Sequence, residues 1–177
     1  MAINSTIHKV DLHISNMDNH YYEQHSLTLA KHSSETDERL MIRLIAFALY
    51  AHERLVFGKG IGNQDEPALW IKDLTGEIER WIEVGLIDEN RVRKACGRSK
   101  YVTLILYGSN ADRWWGRNEK NFKNKKNLTV ISLPYKDTQA MAAMVTRQMD
   151  LTCTIEDGQI LLMSESKSVS LDVKFLQ

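Results

Sequence analysis

Between Ser34 and Tyr107 the chain sets out its periodicities in one order: a helical repeat, three short extended runs, a second helical repeat, then one long apolar run. Short connections place successive elements side by side, so this αβββαβ order admits few architectures, all of mixed α/β (α+β) class. Ser34 offers an N-cap, and Glu35 and Asp37 suit the positive end of a helix dipole. Leu40, Leu44, Ile45, Ala48 and Leu49 then recur at helical spacing, which predicts a helix to about Leu55. Strands are expected at Arg54 to Phe57, Ala68 to Asp73 and Glu77 to Val84, the last two joined by a tight turn at Leu74-Thr75-Gly76. Asp88-Glu89-Asn90 opens a second helix from Arg91 to about Ser99, with Gly97 near its end. Tyr101 to Tyr107 is apolar enough for a strand buried on both faces.

Outside that block, residues 3 to 15 and 21 to 29 read as a hairpin. After Tyr107 come a polar helix from about Asn110 to Asn121, a strand from Leu128 to Leu133 and a helix from Thr138 to Met149. A last hairpin turns at Asp157-Gly158, between Cys153-Thr154-Ile155 and Ile160-Leu161-Leu162. The two terminal hairpins, about 1–31 and 150–177, can join into one extra sheet beside a core at about 34–133. The 177 residues, with 43% apolar, then form a single domain.

Twenty-three basic residues balance 23 acidic ones, so net charge directs the chain to neither nucleic acid nor membrane. Cys96 and Cys153 lack the spacing of a zinc site or redox pair and are too few for a disulfide framework, which fits a reduced, cytoplasmic protein. The first residues, Met1 to Thr6, lack a basic segment followed by an apolar one. The most apolar stretch, Leu40 to Ala51, is interrupted by Arg43 and too short to span a bilayer, so no membrane association is expected.

Two carboxylates stand out of pattern. Glu38 falls inside the apolar arc of the first helix, between Ile42 on one side and Ile45 and Leu49 on the other. It is either a first-turn residue that reaches solvent or the dipole, or an inward carboxylate at a metal site. On the third strand Glu77, Glu79, Trp81 and Glu83 share one face, and Ile78, Ile82 and Val84 the other. Glu77 and Glu79 fit a solvated face; Glu83 lies deep in the apolar run at the carboxyl end.

Four motifs, Ser34-Glu35-Thr36-x-Glu38-Arg39, Glu66-Pro67-x-x-Trp70, Trp81-Ile82-Glu83-Val84-Gly85-Leu86 and Arg93-Lys94-Ala95-Cys96, together resemble the YaeQ family of bacterial proteins. That family is identified as a member of the PD-(D/E)XK superfamily, and the resemblance, covering essentially the whole chain, implies a restriction-endonuclease-like core. In active members of the superfamily a proline-acid pair and an acid-x-lysine hold magnesium or manganese and activate the attacking water. By resemblance Glu38 takes the place of the helix glutamate and Glu83 that of the strand acid, both as metal ligands. Lys94 is the natural substitute for a displaced catalytic lysine. Two positions depart from the pattern: Ala68 stands where an acid is expected and Gly85 where the lysine is. Asp65, Glu66 or Glu79 are the acids available to replace position 68.

Local charge offers an independent clue. From Arg91 to Lys126 there are eleven basic residues against Asp112 and Glu119, a segment of net +9, leaving the rest of the chain at −9. Arg93, Arg113, Arg117, Lys123, Lys125 and Lys126 are candidates for phosphate contacts with DNA or RNA. Trp114, Trp115 and Phe122 are interleaved with them, either to stack bases or to pack inward. The six histidines show no metal-ligand spacing, and Gly58-Lys59-Gly60-Ile61-Gly62 lacks the lysine-serine or lysine-threonine pair of a phosphate-binding loop. Two functions follow as expectations: a magnesium- or manganese-dependent nuclease with a degenerate site, or an inactive nucleic-acid-binding or protein-interaction module on the same fold.

Overall fold

A computed structural model describes residues 4–177. Residue 3, the expected start of the first hairpin, and the leader-free reading of residues 1–3 lie outside the described residues. Strict alternation makes β1 (Ser5–Asn16) amphipathic: Val10, Leu12 and Ile14 are buried while Lys9 lies open to solvent. It pairs antiparallel with β2 (Tyr21–His32) across a four-residue turn, in which the Asn16 side chain accepts a hydrogen bond from the Asn19 N–H at 3.1 Å. The opposite end of the chain supplies β8 (Gln148–Glu156), β9 (Gln159–Met163) and β10 (Ser168–Asp172). The sheet runs β10-β9-β8-β1-β2, with β1 parallel to β8, so the two terminal hairpins merge into one layer.

The second sheet is ordered β11-β7-β6-β5-β4-β3. Its members are β3 (Leu55–Phe57), β4 (Leu69–Lys72), β5 (Ile78–Val84), β6 (Ser99–Leu106), β7 (Leu128–Ser132) and β11 (Lys174–Phe175). The β4–β5 hairpin is antiparallel, whereas β5, β6 and β7 are parallel, connected through α2 (Glu89–Arg98) and α3 (Ala111–Phe122). Two further helices, α1 (Asp37–Leu49) and α4 (Tyr135–Ala142), bring the described residues to a mixed α/β fold of two mixed sheets and four helices.

Every residue from Leu40 to Ala48 in α1 is buried, as expected of a helix flanked on several sides. It packs against strands of both sheets and against α4, and its apolar residues join Val10, Leu151, Leu69, Ile82 and Ile131 in one core. A second, smaller core lies on the other face of the β5–β7 sheet, where Trp81, Val102, Leu104 and Val130 meet Val92, Ala95 and Phe122 of α2 and α3. Among the described residues no helix is long and apolar enough to cross a membrane.

The structure corrects three boundaries. Thr36, not Ser34, caps α1, its hydroxyl accepting from the Arg39 N–H at 3.1 Å, while the Ser34 hydroxyl is engaged with His32 Nδ1 at 2.6 Å. The same helix stops at Leu49 rather than near Leu55, because Leu55 is drawn into β3 opposite Ile71. The helix expected from Thr138 to Met149 begins and ends earlier: Pro134 presets its entry at φ −61°, and Met149 pairs with Val10 in the terminal sheet. Long-range strand pairing there overrides the helical spacing of Met141, Met144 and Met149.

Candidate functional site

At the carboxyl end of β5 the chain surrounds a cleft of about 350 Å³. Arg39, Glu66, Ala68, Glu83 and Arg91 line it, with the glycine-containing loop at residues 60–64 forming its rim. Gly58 makes this approach possible: a Cβ there would lie 1.9 Å from the Pro67 carbonyl oxygen, and the Gly58 N–H donates to the Ala68 carbonyl at 2.9 Å. The close backbone contact sets Pro67 and Ala68 against the β5 end.

Glu83 is only 3% exposed. One of its carboxylate oxygens accepts from the Trp81 indole N–H at 2.9 Å and from Arg91 Nε at 2.7 Å. Arg91 also donates to the Glu66 carbonyl at 2.8 Å and, more weakly, to that of Asn63 at 3.4 Å, so it ties α2, β5 and the 63–66 loop together. Burial pushes the Glu83 carboxyl above its ordinary range; the Arg91 charge, the hydrogen bonds from Arg91 and Trp81, and the Arg39 charge oppose that shift.

Glu38 is held elsewhere. Its two oxygens accept from the Thr138 hydroxyl and the Gln139 amide of α4, each at 2.7 Å, and it does not line the cleft. Because Thr138 can still donate to the Tyr135 carbonyl at 3.0 Å, Glu38→Ala is expected to cost only about 1 kcal/mol in urea unfolding. A loss several times larger would show that Glu38 has a role beyond this helix-to-helix tie. Lys94 points away to Asp65, with its ammonium 3.4 Å from that carboxylate, both exposed. Gly85 has φ +100°, a conformation that strains any lysine placed there. Among the described residues no three His, Cys, Asp or Glu side chains gather as metal ligands.

Three participants were not singled out as site residues by sequence reasoning: Arg91, Arg39 and Glu35. Glu35 is 5% exposed and receives a bidentate pair from Arg43, at 2.8 and 2.9 Å, plus a third bond from Arg39 at 2.7 Å. Burial lowers the Arg43 pKa, against the Glu35 charge and hydrogen bonds, and the Arg39 charge adds to the lowering. Arg39 thus carries the buried Glu35–Arg43 pair to the cleft wall.

A family model described as "YaeQ protein" matches residues 1–173. The chain belongs to the YaeQ family. It is 38% identical to the uncharacterized protein YaeQ of Escherichia coli K12 over 174 residues, which are 98% of this chain and 96% of that protein. Among solved structures, the YaeQ protein of Xanthomonas axonopodis pv. citri shares 46% identity and a TM-score of 0.95, covering 98% of this chain and 99% of the other. That from Pseudomonas syringae shares 32% identity and a TM-score of 0.93, covering 98% and 96%.

In this YaeQ chain the basic segment divides into two sets. Arg93 pairs with Glu89 one helical turn back, and Lys94 with Asp65. Arg113, Arg117, Lys123 and Lys126 are exposed and Lys125 is half-buried, and none of the five has an acidic partner among the described residues. Phe122 is fully buried and packs with Trp114 at 6.0 Å between ring centroids, so Phe122 serves the core rather than stacking bases. Trp114 and Trp115 are half-buried against the same core.

Proposed function

We propose that this chain is a nucleic-acid-binding protein, with a restriction-endonuclease-like core, that does not carry out metal-dependent cleavage. The observation that carries the reading is the set of cations on α3 and the 123–126 turn, where Arg113, Arg117, Lys123 and Lys126 face solvent and, with the half-buried Lys125, have no acidic partners among the described residues. Phosphates would supply the missing partners, and each contact would release counterions. DNA and RNA remain equivalent targets for such contacts. Against cleavage stands the cleft chemistry. Magnesium or manganese needs several free oxygen ligands, yet Glu83 has one oxygen shared between Arg91 and Trp81 and only the other left over, Ala68 offers none, Glu38 is occupied by α4, and Glu66 is held by the Lys59 N–H and ammonium. The residues present do not fit such an ion. Both cysteines are free, and burial pushes the Cys153 thiol up to about 12, which suits a cytoplasmic protein with inert thiols.

The test is fluorescence anisotropy with labelled single- and double-stranded DNA and RNA over a salt series. Binding should weaken steeply with salt. The triple charge reversal Lys123→Glu, Lys125→Glu, Lys126→Glu should lower affinity at least about tenfold and reduce the log–log salt slope by roughly 0.7–0.9 for each phosphate no longer neutralised. Affinity indifferent to both would remove the proposal. In parallel, the wild type should leave the same substrates intact in magnesium and manganese; metal-dependent cleavage abolished by Glu83→Gln would restore the nuclease reading.

A further inference from the structure

Parallel strands β6 and β7 end side by side, and from each carboxyl end the chain turns into a helix. Between the starts of α3 and α4 lies a cavity of about 360 Å³, lined by Gly108, Ser109, Asp112, Ser132, Tyr135 and Lys174 among others. It is separate from the Glu83 cleft, with which it shares no lining residue.

Both helices begin without a side-chain cap: neither Asn110 nor Pro134 offers one, and Pro134 has no oxygen on its side chain. The first-turn N–H groups of Asp112 and Arg113 in α3, and of Tyr135 and Lys136 in α4, have no carbonyl partner among the described residues. Two positive helix ends therefore converge on one cavity. Gly108, at φ +93°, turns the chain from β6 toward α3.

An independent feature points to an occupant. Ser132 is 7% exposed, lies on the wall of this cavity, and its hydroxyl makes no hydrogen bond to the rest of the described protein. The hydroxyl is not sealed from solvent: it opens onto the cavity, where it is free to bond an occupant beneath the two uncapped helix starts. Lys174 on β11 adds an exposed ammonium with no acidic partner among the described residues. An oxyanion with several acceptor oxygens meets all of these donors together: helix N–H groups, a hydroxyl and an ammonium. Asp112 is the one acid on the wall. Its carboxylate opposes an anion, so it moderates the site rather than builds it.

We infer that the cavity between the starts of α3 and α4 binds a phosphate group, with Ser132, Lys174 and the first-turn amides of both helices as its ligands. The source is either free phosphate or the terminal phosphate of an oligonucleotide. The inference does not require the nucleic-acid reading, because inorganic phosphate alone is sufficient to test it.

The probe is inorganic phosphate, titrated against the full chain by calorimetry and by amide chemical shifts. Saturable binding should move the Asp112, Arg113, Tyr135 and Lys136 amides. Ser132→Ala and Lys174→Gln should each weaken binding by about tenfold, in line with loss of one charge-assisted hydrogen bond. Asp112→Asn should tighten it severalfold, an effect that a purely structural role would not produce. Absence of saturable binding, shifts confined to other amides, or indifference to all three substitutions would overturn the assignment. Oligonucleotides with and without a 5′-phosphate then separate the two sources: a preference for the phosphorylated strand that disappears in Ser132→Ala identifies the terminal phosphate, and equal binding identifies the free ion. Loss of oligonucleotide binding in the triple lysine variant with phosphate binding intact keeps the two readings apart.

Discussion

Glu35→Ala is expected to destabilise the fold by about 3–5 kcal/mol, the largest effect of any single charge removal in this chain. The Glu35 and Arg43 side chains are 2% and 4% exposed, so neither has water to replace a missing partner. Arg43 also donates to the Ala30 carbonyl at 3.2 Å, which anchors α1 to β2 of the other sheet. Among the described residues, removing Glu35 leaves a buried guanidinium with only that carbonyl and the face of Phe57, 5.7 Å from its ring centroid, and removes the acid that Arg39 holds as well. Urea unfolding of the variant should show a lower midpoint with little change in slope. The double variant Glu35→Leu, Arg43→Met should recover much of the stability, since no charge then remains uncompensated in the core. A double variant no more stable than Glu35→Ala would mean that the cost lies in packing rather than in the unpaired cation.

The elements that were legible in the sequence are those whose pattern is local. Leu40, Leu44 and Ile45 mark α1 by spacing alone, and the β4–β5 turn at residues 74–76 follows from Gly76, which has φ +91°. What failed was decided by contacts distant in sequence: Met149 reads as helix until β1 claims it as a strand partner. The candidate site divides in the same way. Strand parity made Glu83 suspect, and it is buried in the cleft. That its partner is Arg91 could not be read from spacing, because the two sit on different elements and meet only when α2 folds back onto the sheet, where it packs on β6. For Glu35 a signal was present. Arg43 interrupts an otherwise apolar helix, and a buried arginine requires an acid on the same face; Glu35 lies four residues before Arg39 and eight before Arg43. Gly85, read as the loss of a lysine, is better read as a backbone requirement at positive φ.

Arg91→Ala should cost about 2–4 kcal/mol at neutral pH and distinctly less in acid. Arg91 is 24% exposed at its side chain, so part of its interaction is screened, but Glu83 at 4% is not. Burial already holds the Glu83 carboxyl above its ordinary range, and the Arg91 charge and hydrogen bond both work to lower it. Without them the folded-state pKa rises further. A carboxyl whose folded pKa exceeds its unfolded value contributes stability that is fully present below the unfolded pKa and is lost as pH climbs through the folded one. The stability difference between variant and wild type should therefore be smallest below the ordinary carboxylate range and widen toward neutrality. Adding Glu83→Gln should flatten that pH dependence and regain part of the stability, because a glutamine oxygen still accepts from the Trp81 indole without carrying charge. The absence of the Arg91 bonds to the Glu66 and Asn63 carbonyls would persist in both variants, as faster amide exchange in the 60–66 loop. A cost equal at all pH values would show that Arg91 acts through that loop alone, and that the charge of Glu83 is neutralised from another direction, with Arg39 as the remaining cation on the cleft wall.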